Sequence, residues 1–270
     1  MSKLLEEVMN TEPHISITPF EKKKFLIYGP AGVGKSTFFS KFKKHLFLNT
    51  DPGIDFIKTK NIPITSWKMF KKIVEELVAY QTPGSSTYDK KYDNMIIVLD
   101  LIDGLQALCR KSILSKYGLS HESDTPYGKT FDMVKSEFQT TIASLAAVYG
   151  VGFISHAKDI EIKGRIDKLS KIVPTISGGA GKFIEGLCDF IGYCEVSTTK
   201  EEKALGPRYI TFQPQEDLTA KDRGGVFPNK MPLDFDVVYE TYQKNFEKKF
   251  NSEDSSSKGS KKVVKKFKIK

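Results

Sequence analysis

Short apolar runs alternate along the chain with stretches in which apolar residues recur every three or four positions. The first pattern is typical of strands and the second of amphipathic helices. The runs that predict strands are KKFLIYG (23–29), HLFLNTD (45–51), NMIIVLD (94–100), GVGFISHAKD (150–159), CDFIGYCEV (188–196) and RYITFQP (208–214). The stretches that predict helices are GKSTFFSKFKK directly after the first strand, WKMFKKIVEELVAY (67–80), residues 102–117 and 131–149, and FDVVYETYQKNFEKKF (235–250). Because strands alternate with helices and NMIIVLD is apolar almost throughout, we predict an α/β fold with a doubly wound, mostly parallel sheet flanked by helices.

The composition agrees with a globular protein of this kind. The chain has 270 residues, of which 39% are hydrophobic and 28% charged. No apolar run is long enough to span a bilayer, and the first residues, MSKLLEEVMNTEPH, lack the apolar core of a secretory signal. The three cysteines (Cys109, Cys188 and Cys194) are odd in number and have no metal-like spacing. We therefore expect a cytoplasmic protein with reduced, buried thiols and no membrane partner.

Positive charge is concentrated at the end of the chain. The formal net charge is +9, and the last twenty residues hold seven lysines against Glu253 and Asp254, a net of +5, which leaves +4 for the other 250 residues. We therefore predict an N-terminal extension (1–22), one domain (23–250) and a flexible, disordered lysine-rich tail (251–270). The tail would either aid solubility or contact nucleic-acid phosphates, and the charge pattern alone does not decide between these roles.

The most specific motif is GPAGVGKST, which matches the phosphate-binding pattern G-x-x-x-x-G-K-[ST] directly after a strand and at the start of a helix. Its glycines allow backbone N–H groups to turn around a phosphate, Lys35 would reach the outer phosphates, and Ser36 would bind magnesium. The sequence therefore predicts a nucleoside triphosphate site. It consists of Gly29, Pro30, Ala31, Gly32, Val33, Gly34, Lys35, Ser36 and Thr37.

Two further strands end in aspartates that suit such a site. Asp100 ends MIIVLD and is predicted to hold magnesium together with Ser36, the alternative being a helix cap. Asp51 ends LFLNTD and is predicted to be the general base, the alternative being a turn aspartate before Pro52. Asp103 is the next candidate for the base, although we expect it to cap or orient.

Two other features allow both a functional and a structural interpretation. His156 follows the apolar run of the fourth strand, at the edge where ligands bind in open α/β sheets, and is either a sensor of the γ-phosphate or a structural histidine. Residues 161–186 are basic, rich in glycine and without clear periodicity, so they form either a mobile loop that touches a polymer or a surface connection. LTAKDRGGVFPN (218–229), taken alone, predicts a charged hairpin tip in water.

Taken together, these motifs resemble the RecA/DnaB class of P-loop ATPases, and most closely the compact RecA-like ATPases of bacteriophages, some of which are single-strand annealing recombination proteins. The resemblance covers most of residues 23–250. It is carried by GPAGVGKST, FLNTD, MIIVLD, FISHAKD, SGGAGKFIEGLCDFIGYCEV and AKDRGG.

The resemblance implies ATP and Mg²⁺ as ligands, Asp100 as the metal aspartate and His156 as the phosphate sensor. Asp51 stands where the class has a glutamate base, and its shorter side chain implies slow hydrolysis. Lys221 and Arg223 match a lysine-x-arginine pair that, in ring-forming members, reaches the γ-phosphate bound by the neighbouring subunit.

The same resemblance implies head-to-tail assembly, single-stranded DNA as a partner and a setting in phage recombination, in the host cytosol if the protein is phage-encoded. A single-strand-binding protein is a further candidate partner. The DNA contacts are expected in loops near 115–130 and 163–181, and in the lysine tail. The candidate residues at these loops are Lys116, Tyr117, Tyr127, Lys129, Lys163, Arg165 and Lys182.

Two other classes of function remain open at this point: a nucleotide-dependent accessory or packaging factor that acts on protein partners, and a small-molecule kinase. The few arginines are scattered, whereas a kinase would need an arginine-rich lid. The sequence does not distinguish a ring from a filament, adenine from guanine, or annealing from unwinding or strand exchange.

Overall fold

A computed structural model of the chain describes residues 18–82, 84–125, 128–163, 168–176, 178–197 and 206–251. The helices are α1 (Lys35–Ser40), α2 (Trp67–Gln81), α3 (Ile102–Lys116), α4 (Lys129–Val148), α5 (Gly178–Leu187) and α6 (Phe235–Asn251). The strands are β1 (Lys24–Tyr28), β2 (His45–Asn49), β3 (Asn61–Pro63), β4 (Ile96–Asp100), β5 (Gly150–Ser155), β6 (Ala157–Lys163), β7 (Lys168–Pro174), β8 (Phe190–Val196), β9 (Arg208–Thr211), β10 (Lys221–Asp222) and β11 (Met231–Pro232). The predicted disordered tail lies outside the described residues except for its first residue, which ends α6.

Within the described residues, a nine-stranded sheet forms the centre of the molecule in the order β11-β9-β8-β1-β5-β4-β2-β3, with β10 paired to β8. The six strands from β8 to β3 run parallel, and β9, β10 and β11 add antiparallel pairs at one side. The predicted α/β fold with a doubly wound, mostly parallel sheet is therefore confirmed.

Both faces of the sheet are buried beneath helices. Along β1, Leu26 and Tyr28 pack into a core with α2, α3, α4 and α5, whereas Phe25 and Ile27 pack into a second core with α1 and α6. The strand alternates between two apolar environments, which explains why its sequence is apolar without alternation. Phe20, inside the predicted N-terminal extension, belongs to the second core and is buried against Phe25.

One register brings the strand ends together. Tyr28 of β1 lies opposite Ser155 of β5, Ile154 lies opposite Asp100 of β4, and Asp100 lies opposite Asn49 of β2. The residues that follow these strands therefore meet at a single carboxyl edge, where ligands bind in open α/β sheets.

The structure corrects three local predictions. The run GVGFISHAKD is not one strand, because β5 ends at Ser155 and β6 begins at Ala157 in a separate antiparallel hairpin with β7. Residues 161–186 are not an irregular connection, since they contain most of this hairpin and helix α5. LTAKDRGG is not a hairpin tip, because Lys221 and Asp222 pair with Ile191 and Phe190 of β8. The pairing of β10 with β8 joins residues far apart in sequence, and the described side chains of β6 and β7 are mostly half exposed or exposed. Local periodicity therefore gives little indication of either pairing.

The cysteines are buried and free, as predicted, and burial raises the pKa of the Cys109 thiol to about 12. No described helix has both the length and the apolar character that a membrane crossing requires.

Substitution of Gly152 tests how closely α1 packs on the sheet. A Cβ at this position of β5 would stand 2.5 Å from Cε1 of Phe39, which is fully buried. We expect Gly152→Ala to lower the free energy of unfolding by about 1–3 kcal/mol, because the core must overpack. Gly186 of α5 is the control, since a Cβ there would contact nothing within 4 Å. Gly186→Ala should be neutral or stabilise by up to about 1 kcal/mol in the same urea titration, and equal effects of the two substitutions would contradict the packing described.

Candidate nucleotide-binding site

The loop between β1 and α1 begins at Gly29, where the neighbouring backbone leaves no room for a side chain. A Cβ on Gly29 would lie 2.3 Å from the carbonyl oxygen of Cys194 in the neighbouring strand β8. Gly34 closes the loop with a φ of 108° and serves as the N-cap of α1. These two positions explain why the motif needs glycine where it has it.

Lys35 is buried inside this loop, with only 6% of its surface exposed. Its Nζ donates hydrogen bonds to the carbonyl oxygens of Gly29 (2.9 Å) and Pro30 (2.8 Å). Burial lowers the pKa of Lys35, while the nearby carboxylate of Asp100 acts in the opposite direction. The ammonium group is therefore held at the point where the sequence predicts the outer phosphates.

Ser36 and Asp100 connect α1 to the end of β4. The Ser36 hydroxyl donates to Oδ2 of Asp100 at 2.5 Å. Asp100 is 5% exposed, and burial raises the pKa of its carboxyl group, while the hydrogen bond from Ser36 opposes this shift.

This pair fits magnesium. No cluster of three His, Cys, Asp or Glu side chains able to hold a metal occurs among the described residues. Mg²⁺ needs no such cluster, because it is usually held by one or two carboxylates together with substrate phosphates and water. Two hard oxygen atoms side by side at the phosphate loop meet that requirement.

Asp51 and His156 line the same cavity as Lys35, Ser36 and Asp100, and its volume is about 290 Å³. Oδ1 of Asp51 accepts a hydrogen bond from the backbone N–H of Gly53 (3.2 Å), so this aspartate also caps the short turn after β2. The turn contact and a catalytic role are compatible, because the contact uses one oxygen. The roles of Asp51 as base and His156 as sensor stay predictions.

Asp103 is not among the residues that line this cavity, and it lines a different one between α3, α4 and the start of α5. Its Oδ2 accepts a hydrogen bond from Oγ of Ser155 (2.8 Å), and the same Oγ accepts one from the N–H of Ile176 (3.3 Å). Asp103 thus links α3 to the end of β5 and to the segment that leads into α5. This contact favours an orienting role.

Lys221 and Arg223 lie far from the cavity within one subunit. Lys221 pairs with Ile191 at the amino end of β8, whereas the phosphate loop lies beyond the carboxyl end of β1. Nζ of Lys221 donates to the carbonyl oxygen of Glu185 (2.8 Å), and Arg223 forms an ion pair with Asp189 (3.1 Å). Neither cation reaches the nucleotide site of its own chain, and their predicted role on a neighbour's nucleotide stays a prediction.

Three of the predicted DNA-contacting residues come together. Lys116, Tyr117 and Lys129 line one groove between α3 and α4, and Nζ of Lys116 lies 5.4 Å from the centre of the Tyr117 ring. Lys182 lies apart on α5, and Lys163 ends β6. Tyr127 and Arg165 lie outside the described residues, and DNA binding stays a prediction.

The structure adds Arg208 at the cavity and Thr50 next to it, and the sequence indicated neither. Arg208 lines the cavity from the start of β9. Thr50 joins the segment of Asp51 to β4, because its Oγ1 accepts from the N–H of Leu101 and donates to the carbonyl oxygen of the same residue, both at 3.1 Å. A prediction that β9 runs antiparallel would have placed Arg208 at this edge, whereas no local pattern indicates the role of Thr50.

A family model described as an AAA domain matches residues 21–224. The SPbeta prophage-derived uncharacterized protein YorG of Bacillus subtilis (strain 168) is 25% identical over 174 residues, which are 62% of this chain and 49% of YorG. This chain therefore spans about half the length of that relative.

Two crystal structures are similar at low sequence identity. The RadB recombinase is 14% identical, with 70% of this chain and 80% of the other covered and a TM-score of 0.39. The flagellar accessory protein FlaH from Methanocaldococcus jannaschii is 13% identical, with 87% and 93% covered and a TM-score of 0.40.

Paired substitutions distinguish the two candidate bases. Asp51→Asn should still bind a nucleoside triphosphate but hydrolyse it about 100-fold or more slowly, the loss expected when a general base is removed. Asp103→Asn should slow hydrolysis much less, since Asp103 accepts a hydrogen bond from Ser155 and does not line the cavity. Steady-state hydrolysis rates at saturating nucleotide provide the measurement. A larger loss in Asp103→Asn than in Asp51→Asn would reverse the assignment.

Proposed function

We propose a function from the premise that this chain belongs to the AAA domain family AAA_24. In this proposal the protein is a magnesium-dependent ATPase that binds single-stranded DNA and assembles head to tail. The membership confirms the predicted RecA-like P-loop ATPase, which is a nucleotide-binding class. Hydrolysis, DNA binding and assembly are the parts that we propose. The observation that carries the proposed hydrolysis is the convergence of Lys35, the Ser36–Asp100 pair, Asp51 and His156 on one cavity.

These residues supply separable contributions to hydrolysis. The loop amides and Lys35 would hold the phosphates, and Ser36 with Asp100 would hold Mg²⁺, which when bound neutralises phosphate charge. Asp51 would orient a water molecule and accept its proton. Because its side chain is one carbon shorter than that of glutamate, we expect slow turnover.

The position of His156 supports a link between nucleotide and DNA. It lies between β5 and the β6–β7 hairpin, and its carbonyl oxygen accepts a hydrogen bond from the N–H of Thr175 (2.9 Å) at the other end of that hairpin. A change at the outer phosphate would therefore act on the hairpin and on α5, which follow directly. Together with the groove of Lys116, Tyr117 and Lys129 and the lysine tail, these segments would bind phosphates and stack on bases without sequence preference.

The opposite edge of the sheet supports the proposed assembly. A head-to-tail contact joins two different surfaces and produces either a ring or a filament. Lys221 and Arg223, at the amino edge, would meet the nucleotide at the carboxyl edge of the next subunit. The prophage origin of YorG supports a phage setting. A role in recombination in the host cytoplasm, with a single-strand-binding protein as a partner, is part of the proposal.

Single-stranded DNA should raise the ATPase rate, and the binding of oligonucleotides should weaken steeply as salt increases, because phosphate contacts release counterions. A coupled ATPase assay and fluorescence anisotropy measure the two effects. Lys35→Ala is the control for the first, since it should abolish turnover with or without DNA. No stimulation together with salt-insensitive binding would contradict the proposal.

Mixed assemblies test the role of Arg223. Arg223→Ala and Lys35→Ala should each be inactive alone, because each lacks one half of every shared site. An equal mixture should recover about a quarter of the wild-type rate, since random neighbours complete one site in four. Arg110 provides the control: its ion pair with Glu122 lies away from both edges, so Arg110→Ala should be active alone. A fully active Arg223→Ala, or a mixture without recovery, would contradict the proposed contact.

A further inference from the structure

Arg208 occupies a distinctive position at the nucleotide cavity. It is the first residue of β9, which runs antiparallel to β8 and pairs Arg208 with Val196. The strand therefore begins at the carboxyl edge of the parallel strands, beside the phosphate loop. The N–H of Leu233 donates to the carbonyl oxygen of Arg208 (2.9 Å), so the backbone at this position is fixed from both sides.

The side chain of Arg208 lies directly against the phosphate loop. A Cβ placed on Gly34 would stand 3.1 Å from Nη1 and 4.0 Å from Cδ of Arg208. The guanidinium group also lines a smaller groove of about 100 Å³ together with Thr37 and Leu233. Arg208 thus covers Gly34 and borders Thr37, the two residues that flank Lys35 and Ser36.

The guanidinium group has no protein partner among the described residues. The other two arginines in that part of the chain behave differently, because Arg110 pairs with Glu122 and Arg223 with Asp189, both at 3.1 Å. The two carboxylates of the cavity are engaged elsewhere, Asp100 with Ser36 and Asp51 with the N–H of Gly53. A planar group with five donors therefore faces the cavity and solvent.

We propose that Arg208 binds the inner phosphates of the nucleotide held by its own subunit. The proposal rests on the proposed function of the phosphate loop. In that loop the backbone cradles the α- and β-phosphates, Lys35 reaches the outer ones, and Ser36 serves the metal. Arg208 lies against the loop backbone at Gly34, and the groove that it shares with Gly34 and Thr37 does not include Lys35, so its position fits the α- and β-phosphates that the loop backbone would cradle. Its fork matches a phosphate by two parallel hydrogen bonds, as a lysine does not.

This role differs from that of Lys221 and Arg223 in two respects. Arg208 acts within its own chain, and it touches phosphates that ATP and ADP share. An interaction made equally in the ground state and the transition state tightens binding without raising the rate at saturation. Arg208 is therefore a binding residue whose loss raises KM and leaves kcat nearly unchanged.

The test compares full-length Arg208→Gln and Arg208→Lys with Arg110→Ala as the matched arginine control and Lys35→Ala as the control for the loop. Titration calorimetry with ATP and with ADP in the presence of magnesium gives the affinities, and thermal unfolding checks the fold. Arg208→Gln should bind both nucleotides about 10- to 100-fold more weakly, the loss of a charge-assisted hydrogen bond. Arg208→Lys should lose less affinity than Arg208→Gln, and Arg110→Ala should bind both nucleotides as the wild type does. The kcat of Arg208→Gln should stay within about twofold of the wild-type value.

Unchanged affinities for both nucleotides in Arg208→Gln would overturn the inference. A loss confined to ATP, with a fall in kcat, would overturn the placement on the inner phosphates. If Lys35→Ala abolishes binding while Arg208→Gln does not alter it, the inference fails and the proposed function stands. Should Lys35→Ala bind normally, the proposed function fails instead. If Arg208→Gln is unstable, Arg208→Lys decides, because it keeps the charge and must still weaken binding of both nucleotides.

Discussion

The hydrogen bond from Ser36 to Asp100 crosses the strand that separates β1 from β4, and it is possible only in the parallel register of those strands. Tyr28 lies opposite Ser155, and Ile154 lies opposite Asp100. A shift of one residue in either pair would turn the strand's side chains to the other face and move the carboxylate away from the loop. Because both faces of these strands are buried beneath helices, such a shift is strongly opposed. The packing of the two cores thus sets the geometry of the site.

The same packing places charged groups where solvation is poor. Lys35 and Asp100 are 6% and 5% exposed, and burial shifts each pKa toward the neutral form, downward for the lysine and upward for the aspartate. Their mutual attraction and their hydrogen bonds offset part of this cost. An anionic ligand beside Lys35 and a cation beside Asp100 would each restore a favourable partner for the charged form. The buried charges would therefore favour the binding of a phosphate together with a metal ion, at some cost to the stability of the free protein.

The parts of the site that follow apolar strands could be predicted from the sequence, and the parts that depend on pairing across the sheet could not. The phosphate loop, Asp51, Asp100 and His156 each come directly after a run whose burial is visible in the sequence. Arg208 follows no such run, since it enters the site only because β9 turns back along β8. The sequence does not indicate the β6–β7 hairpin for a related reason. Its described side chains are mostly half exposed or exposed and the hairpin forms a sheet of its own, so neither alternation nor an apolar run marks it.

Each edge of the sheet carries an arginine, and the two differ in whether their guanidinium groups are bonded to the protein. Arg223, at the amino edge, is bonded to Asp189 and to the carbonyl oxygen of Gly186, so it already lies in a defined position before any neighbour arrives. Arg208, at the carboxyl edge, rests on the loop and lacks a protein partner among the described residues. In the proposed head-to-tail assembly these edges face each other, and the two arginines would approach one triphosphate from opposite ends. In that assembly, with a short aspartate as the base, charge stabilisation by Lys221 and Arg223 would supply the larger share of catalysis, whereas Arg208 would serve binding. Hydrolysis would then depend on assembly more than on the chemistry within one subunit.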